Sequence, residues 1–457
     1  MTQTKVIPFE EAPFRFFHFH VAFSACGGEV ADGFELGIIG IALSMAVVPL
    51  HLTAVWLGIL GAAAMVGLFI GSVLTGVIVD RYGRFYIFGY NMLFMAIISG
   101  CQFFATKPWE LLVLRLLLGM VLGTDWVVAK AVAVEFTPTK YRGRVGSSLA
   151  LTWTFGYAFS YVVGFMLRNT GPNAWRYMLA ISSIPAACIF LFRIGIPESP
   201  LWLMKQGKNE EAREIVLRKL GPNFALPTGV TKLSKTGGEW AQLISKKWRK
   251  ASATCTLFYV GLIAPLYAMA TYLPINMKAL HVTNPLSAGL YYNSFLMLDA
   301  IIGLLVVDKV PRRLFLLGTF YVGAGFTALL VFNILSSTGV IIVSGITALV
   351  CMMANNLPMI YLPELFPTAL RATGIALGVA SGRLAGTAST FLMPIVVRHW
   401  GIGFGMGMCV AVLVLCAFGC QLWAPETKNV RLSSIGEQEG DPYSSRTVQA
   451  FRSGVAT

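Results

Sequence analysis

The chain has 457 residues, of which 56% are hydrophobic and only 12% charged, whereas soluble globular domains carry charge on about 25% of positions. Such a chain cannot cover itself with polar surface, so a soluble globular fold is excluded. The formal charge of +14 does not point to nucleic acid either, because the basic residues are spread over loops between apolar runs.

Those runs are about 20 residues long and match a hydrocarbon core of roughly 30 Å at ~1.5 Å per helical residue. Membrane strands would span in about ten residues with alternating polarity, and the sequence lacks that pattern. Twelve helical spans are predicted, over residues 20–47, 54–79, 86–105, 109–135, 146–167, 177–195, 254–275, 286–307, 314–335, 339–362, 373–397 and 402–423. Met1 to Phe17 shows no signal-peptide cleavage pattern, so the first span is expected to stay attached. With the N-terminus in the cytoplasm, most of the 35 Lys and Arg fall on that side. The positive-inside rule then sets both termini cytoplasmic in a multi-pass protein of the cell membrane.

Span one holds the sharpest chemical signal. Glu29, Asp32 and Glu35 stand at i, i+3 and i+6, within an arc of about 120° on one helix face and near mid-membrane depth. An ionised side chain at that depth costs at least ~2.5–3.5 kcal/mol, so each needs a partner, a water-filled cavity or a proton. They are candidates for proton coupling; the plainer alternative is that they pair with basic residues to hold helices together. Span four carries Arg115, expected at depths near Glu35, and also Asp125 and Lys130. The last two are about 140° apart around the helix and are not expected to pair with each other. Asp299 lies in span eight. Arg383 lies about 15 Å into span eleven, within Gly378-Val-Ala-Ser-Gly-Arg-Leu-Ala-Gly386, where small residues leave room around it. Its guanidinium could fork onto a substrate carboxylate; the alternative is an ion pair with Asp299.

Six spans precede a polar stretch and six follow it. The expected organisation is a six-helix bundle over 1–196, a cytoplasmic linker with short amphipathic helices over 197–253, a second bundle over 254–424 and a cytoplasmic tail over 425–457. In the linker, Glu210, Glu214 and Arg218 have helical spacing. The loops repeat between the halves. Asp80 and Arg84 recur as Asp308 and Arg312, Pro197-Glu198-Ser199 as Pro425-Glu426-Thr427, and Glu135, Pro138 and Arg142 as Glu364, Pro367 and Arg371, at offsets of 228 or 229. Because the offset spans six helices, the halves are parallel repeats, an architecture that supports alternating access with substrate at midplane.

These motifs carry a family resemblance. Asp80-Arg-Tyr-Gly-Arg84 resembles the D-R-x-G-R/K loop of major facilitator proteins, and Arg115-Leu-Leu-Leu-Gly119 resembles the R-x-x-x-G of their fourth span. Glu135-Phe-Thr-Pro-Thr-Lys-Tyr-Arg-Gly143, Pro197-Glu-Ser-Pro-Leu-Trp-Leu203 and Pro363-Glu-Leu-Phe-Pro-Thr-Ala-Leu-Arg371 are similar to the branch of sugar porters, organic-ion transporters and bacterial metabolite transporters. Asp32-Gly-Phe-Glu35 resembles the D-G-F-D of aromatic-acid/proton symporters. The second loop copy, Asp308-Lys-Val-Pro-Arg312, lacks the glycine, and position 35 is Glu rather than Asp.

The resemblance implies an all-α major facilitator fold and a proton-coupled symporter of a small organic anion, such as an aromatic or hydroxy acid. It implies a Glu35–Arg115 pair that substrate or proton loosens, so Arg115, Arg383 and Asp299 form the expected substrate group. Asp80, Arg84, Glu135, Arg142, Glu364 and Arg371 are expected as ion-pair latches between conformational states. A sugar porter is the nearest alternative, weakened because span seven lacks the paired glutamines that sugar porters set against hydroxyls. A transport-inactive receptor would need a longer tail.

No nucleophile–base pair or metal-ligand cluster suggests an enzyme. The expected partners are a small-molecule substrate, protons and the lipid bilayer, with no cofactor, metal or nucleic acid, and the chain is expected to act as a monomer. The eight cysteines, all in or at the ends of apolar runs without C-x-x-C spacing, are expected as packing residues. His18, His20, His51, His281 and His399 are expected at the surface or interface.

Overall fold

Backbone groups in hydrocarbon must find partners within their own segment, so a chain with these apolar runs folds as a set of long helices. The computed structural model describes residues 7–8, 11–222, 224–226, 239–306, 310–332, 334–358, 361–366 and 368–427. The first five spans are Phe16–Ala46, Ala54–Tyr82, Phe85–Cys101, Pro108–Phe136 and Arg142–Leu167. The sixth is made of Ala174–Ala180 and Ser183–Arg193. Spans seven to ten are Arg249–Ala270, Pro285–Val306, Arg312–Val331 and Ser337–Met353. The last two lie within Thr368–Trp423, which breaks at Gly401, where φ is +83°. Nine helices among the described residues are long and apolar enough to cross a membrane, the last of them holding two spans; spans one and eight complete the twelve.

Several boundaries differ from the sequence expectation: span seven runs from Arg249 rather than residue 254, and span ten ends at Met353 rather than residue 362. Span one begins at Phe16 rather than residue 20, started by a cap in which the Arg15 backbone N–H donates to His18 Nδ1 at 3.0 Å. His18 is therefore buried, not interfacial. Span six is interrupted where Ser182 Oγ donates to the Leu179 carbonyl at 2.5 Å. Pro185 follows in the first turn of the second piece, the position where its missing N–H is not needed.

The helices gather into two units, Met1–Leu52 with Ile59–Lys235 and Thr53–Gly58 with Thr236–Thr457. In the first, spans one and five approach backbone to backbone. A Cβ on Gly33 would lie 2.1 Å from the Trp153 carbonyl oxygen, and one on Gly156 would lie 2.1 Å from that of Val30. Small residues permit such contact, which supplies dispersion where lipid removes the hydrophobic driving force. After span six, Asn209–Leu220 is helical and buries Ala212, Val216 and Leu220. The segment before span one is tied to this helix. Ala12 joins its apolar face, Arg15 Nη1 donates to the Leu220 carbonyl, and Ile7–Pro8 pairs in parallel with Phe224–Ala225.

Five cysteines (Cys255, Cys351, Cys409, Cys416 and Cys420) are buried as packing residues, but Cys101 and Cys188 are exposed on the outer faces of their helices. The tail after Thr427, Asp308 and Pro367 lie outside the described residues.

Candidate functional site

The three carboxylates of span one meet three different surroundings. Glu35 is locked: Arg115 Nη1 lies 2.7 Å from its Oε1, with the two side chains 1% and 0% exposed. Ser99 Oγ donates to Oε2 at 3.2 Å and Gln102 Nε2 to Oε1 at 3.4 Å. The four groups come from spans one, three and four and the turn that ends span three, so the pair ties these elements together. Glu29 faces Lys130 Nζ at 4.0 Å and the Trp126 indole N–H. Lys130 Nζ in turn sits 3.2 Å from the centre of the Trp126 ring, an attraction that strengthens with desolvation. Asp32, 2% exposed, has no hydrogen-bond partner at either carboxylate oxygen.

Asp125, whose role the sequence left open, has a partner that sequence reasoning missed. Arg193, at the end of span six, forks onto it: Nη2 lies 2.9 Å from Oδ2, and Nη1 bonds Oδ1. Nη1 also donates to the Phe88 carbonyl at 2.8 Å, and the guanidinium lies 3.8 Å from the Phe88 ring centre. Asn91 Nδ2 adds a 3.3 Å bond to Asp125 Oδ1. Both charged side chains are fully buried. A bidentate pair with its remaining donors satisfied is the form in which a buried ion pair is tolerated.

In the second unit, Arg383 is 8% exposed. The face of span eleven formed by Gly378, Gly382 and Gly386 packs on span seven. A Cβ at Gly378 would lie 2.6 Å from Tyr259 Cδ2, and one at Gly386 would lie 2.8 Å from Ile263 Cγ2. The close approach brings Arg383 under the influence of the Tyr259 and Tyr267 hydroxyls. No ion pair joins Arg383 to Asp299 among the described residues, and Asp299 Oδ1 is buried without a hydrogen-bond partner. The pairing alternative for Arg383 is thereby corrected; burial of Arg383 against span seven replaces it. A small crevice of about 50 Å³ between spans seven, eleven and twelve is lined by apolar side chains such as Ala264, Pro265, Leu392 and Met408 and by none of the candidate residues, so it does not mark the site.

At the loop-motif end, Arg84 contacts Glu135. Arg142 Nε donates to the Thr137 carbonyl at 3.1 Å, and Glu364 accepts from Thr427 Oγ1. Arg371 lies in the first turn of span eleven. The Asp80 side chain lies outside the described residues. The acidic residues that organise this end were missed as site residues: Glu198 accepts the backbone N–H groups of Arg84 and Phe85, and Glu426 those of Arg312 and Arg313. The repeated Pro-Glu-Ser/Thr triplet was the signal for them.

The model of the family described as "Sugar (and other) transporter" matches residues 14–438. The chain belongs to that family. Its relatives include the inner membrane metabolite transport protein YgcS of Escherichia coli, 33% identical and aligned over 96% of this chain and 98% of its own length. The niacin transporter NiaP of Acinetobacter baylyi is 26% identical over 93% and 98%. Among solved structures, a partially occluded inward-open conformation of the xylose transporter XylE from E. coli superposes with a TM-score of 0.74. It covers 91% of this chain and 100% of that one at 20% identity. The protein is thus a multi-pass membrane transporter with the twelve-helix major facilitator fold, in the sugar-porter branch and not an enzyme.

Proposed function

We propose that this transporter is a proton-coupled symporter of a small organic anion, such as an aromatic or hydroxy acid, working by alternating access in the cell membrane with both termini cytoplasmic. The observation that carries the substrate class is Arg383, a buried guanidinium on span eleven, the helix whose Gly378, Gly382 and Gly386 pack on span seven. A substrate carboxylate would offset the cost of that buried charge and use its two-pronged geometry. The similarity to a transporter named for niacin, an aromatic carboxylic acid, supports the reading. Proton coupling rests on the acidic face of span one, Glu29, Asp32 and Glu35, with Arg115 holding Glu35. The Arg84–Glu135 contact and its repeat-related counterparts serve as latches on the cytoplasmic side.

A second reading, a proton-coupled sugar porter, is favoured by the family description and by 25% identity to the arabinose-proton symporter of Bacillus subtilis. Uptake into proteoliposomes by a panel of carboxylates and sugars, with and without an imposed pH gradient, separates the two. Gradient-driven accumulation of a carboxylate is expected. Accumulation of sugars alone would overturn the anion reading.

A further inference from the structure

The segment that leads into span seven concentrates positive charge. Residues 241–250 hold four Lys or Arg, namely Lys246, Lys247, Arg249 and Lys250, and after Glu239 no acidic residue follows until Asp299, 60 positions later. The repeat-related stretch at the start of span one, residues 11–20, holds one, Arg15, and that one donates to the Leu220 carbonyl. The fold therefore starts such a span without a basic cluster. Orientation does not require the excess either, because Lys205, Lys208 and Arg213 already follow span six within about 20 residues.

The same segment forms a clamped elbow. Glu239–Ile244 is a short helix, joined to span seven by a turn in which the Ser245 carbonyl accepts the N–H groups of Trp248 and Arg249 at 3.1 and 2.9 Å. Ser252 Oγ donates back to the Leu243 carbonyl at 2.9 Å. Leu243 and Trp248 are buried in the core of the second unit, where the Trp248 ring lies 6.5 Å from that of Phe366. Two large apolar side chains of the elbow stay outside that core: Trp240 and Ile244, one turn apart on the short helix, are 57% and 80% exposed. Beside them in sequence, Lys246, Arg249 and Lys250 are exposed, and Lys247 is half-buried with its Nζ 5.6 Å from the centre of the Trp248 ring. Exposed Trp and Ile next to a cluster of cations, directly before the apolar run of a membrane span, make a surface suited to the headgroup region of a bilayer. There the apolar side chains enter the acyl boundary and the cations stay level with phosphate.

We propose that this elbow, residues 239–250, is a binding site for anionic phospholipid, with Lys246, Arg249 and Lys250 on the headgroup phosphate and Trp240 and Ile244 against the acyl chains. Charge selects the occupant. The elbow presents four positive side chains and one negative, so a lipid of net negative charge gains more there than a zwitterionic one, whose own ammonium is repelled. The bound lipid braces the loop on which the elbow is clamped: Leu243 and Trp248 share one buried cluster with Leu365, Phe366 and Leu370, which stand between Glu364 and Arg371 of the repeated latch motif. The inference is independent of what is transported and of how protons are coupled.

The test is tryptophan quenching of the full chain in phosphatidylcholine nanodiscs doped with a lipid whose acyl chains are brominated, either phosphatidylglycerol or phosphatidylcholine. The Trp240 signal is the difference between wild type and Trp240→Phe. Its quenching by brominated phosphatidylglycerol should exceed that by brominated phosphatidylcholine at equal mole fraction, and the excess should shrink when salt is raised to about 0.5 M. In Lys246→Gln/Arg249→Gln/Lys250→Gln the apparent affinity for phosphatidylglycerol should fall about tenfold or more, whereas Lys246→Arg/Lys250→Arg should keep the wild-type value. Native mass spectrometry should show phosphatidylglycerol retained by wild type and lost from the triple variant. Equal quenching by the two lipids in wild type overturns the proposal and leaves the face to water or to an acidic soluble partner. A preference for phosphatidylglycerol that the triple variant keeps overturns it as well, reducing the cations to a topology signal. Where the triple variant does not fold, the lipid and salt comparison in wild type decides alone.

Discussion

Glu198 reaches back 114 residues to accept the backbone N–H of Arg84 at 3.0 Å, and Glu426 reaches back the same 114 residues to accept that of Arg312 at 3.0 Å. Each carboxylate also takes the next N–H, from Phe85 or Arg313, at 3.0 and 3.1 Å. Two helix N-termini, those of spans three and nine, have orphan donors that a negative charge satisfies and whose dipole it complements. Each also accepts from its own successor, Ser199 or Thr427. The repeat read in the sequence is thus a repeat of capping geometry.

Removing either cap leaves buried N–H groups unpaired at the start of a membrane helix. Glu198→Ala and Glu426→Ala should each destabilise the protein by about 1–3 kcal/mol, with Gln recovering part of the loss. Thermal unfolding of the purified variants measures this. A variant as stable as wild type at either position would show that the caps are dispensable.

The fold was readable because apolar run length, loop charge and loop repeats are all sequence-local. The Asp125–Arg193 pair was not readable, because Arg193 stands at the end of its span, where a basic residue also serves as a topology signal. Only the tertiary fold turns it inward over Phe88. A further repeat went unread in the turns that follow spans one and seven. His51-Leu-Thr and His281-Val-Thr are 230 residues apart, just off the loop offset. Both histidines have positive φ, 48° and 59°. Each is followed by an N–H bonded five residues back, Leu52 to Val47 and Val282 to Met277, which is the helix-ending turn that ordinarily favours glycine.

Breaking the Asp125–Arg193 pair from one side should be costly. Arg193→Met leaves Asp125 a buried charge without its cation, worth about 3–5 kcal/mol, whereas Asp125→Leu with Arg193→Met should recover most of it. Yield of monodisperse protein and thermal stability of the single and double variants decide the matter. Equal losses in both would mean that packing, not charge, holds this site.

Coupling should separate from translocation at Asp32. Asp32→Asn nearly keeps volume but removes the proton site, so accumulation driven by a pH gradient should fail while exchange across the membrane survives. Glu35→Gln, which takes the buried partner from Arg115, should impair both. Gradient-driven accumulation at the wild-type level in Asp32→Asn would remove Asp32 from the coupling path.

The latch reading predicts a shift in resting state. Arg84→Ala removes the contact with Glu135 while leaving the backbone cap from Glu198 in place, so the population should move toward the inward-open form without loss of substrate binding. Labelling of single cysteines placed on the cytoplasmic side reports this. Unchanged labelling would reduce Arg84 to a topology signal.

Substrate charge is tested at Arg383. It is 8% exposed, and no ion pair joins it to Asp299. An anion bound there gains a two-pronged, charge-assisted contact that lysine cannot reproduce, because an ammonium is a point charge without the planar fork. Arg383→Lys should therefore weaken binding of the transported carboxylate by the ~1.5–3 kcal/mol of a charged hydrogen bond, roughly ten- to a hundredfold in Kd. Stability should change little, since the positive charge stays in place against span seven. Tight binding by the lysine variant, or transport of neutral sugars alone by the wild type, would make Arg383 a packing element of the seven–eleven interface and give the site to the sugar-porter reading.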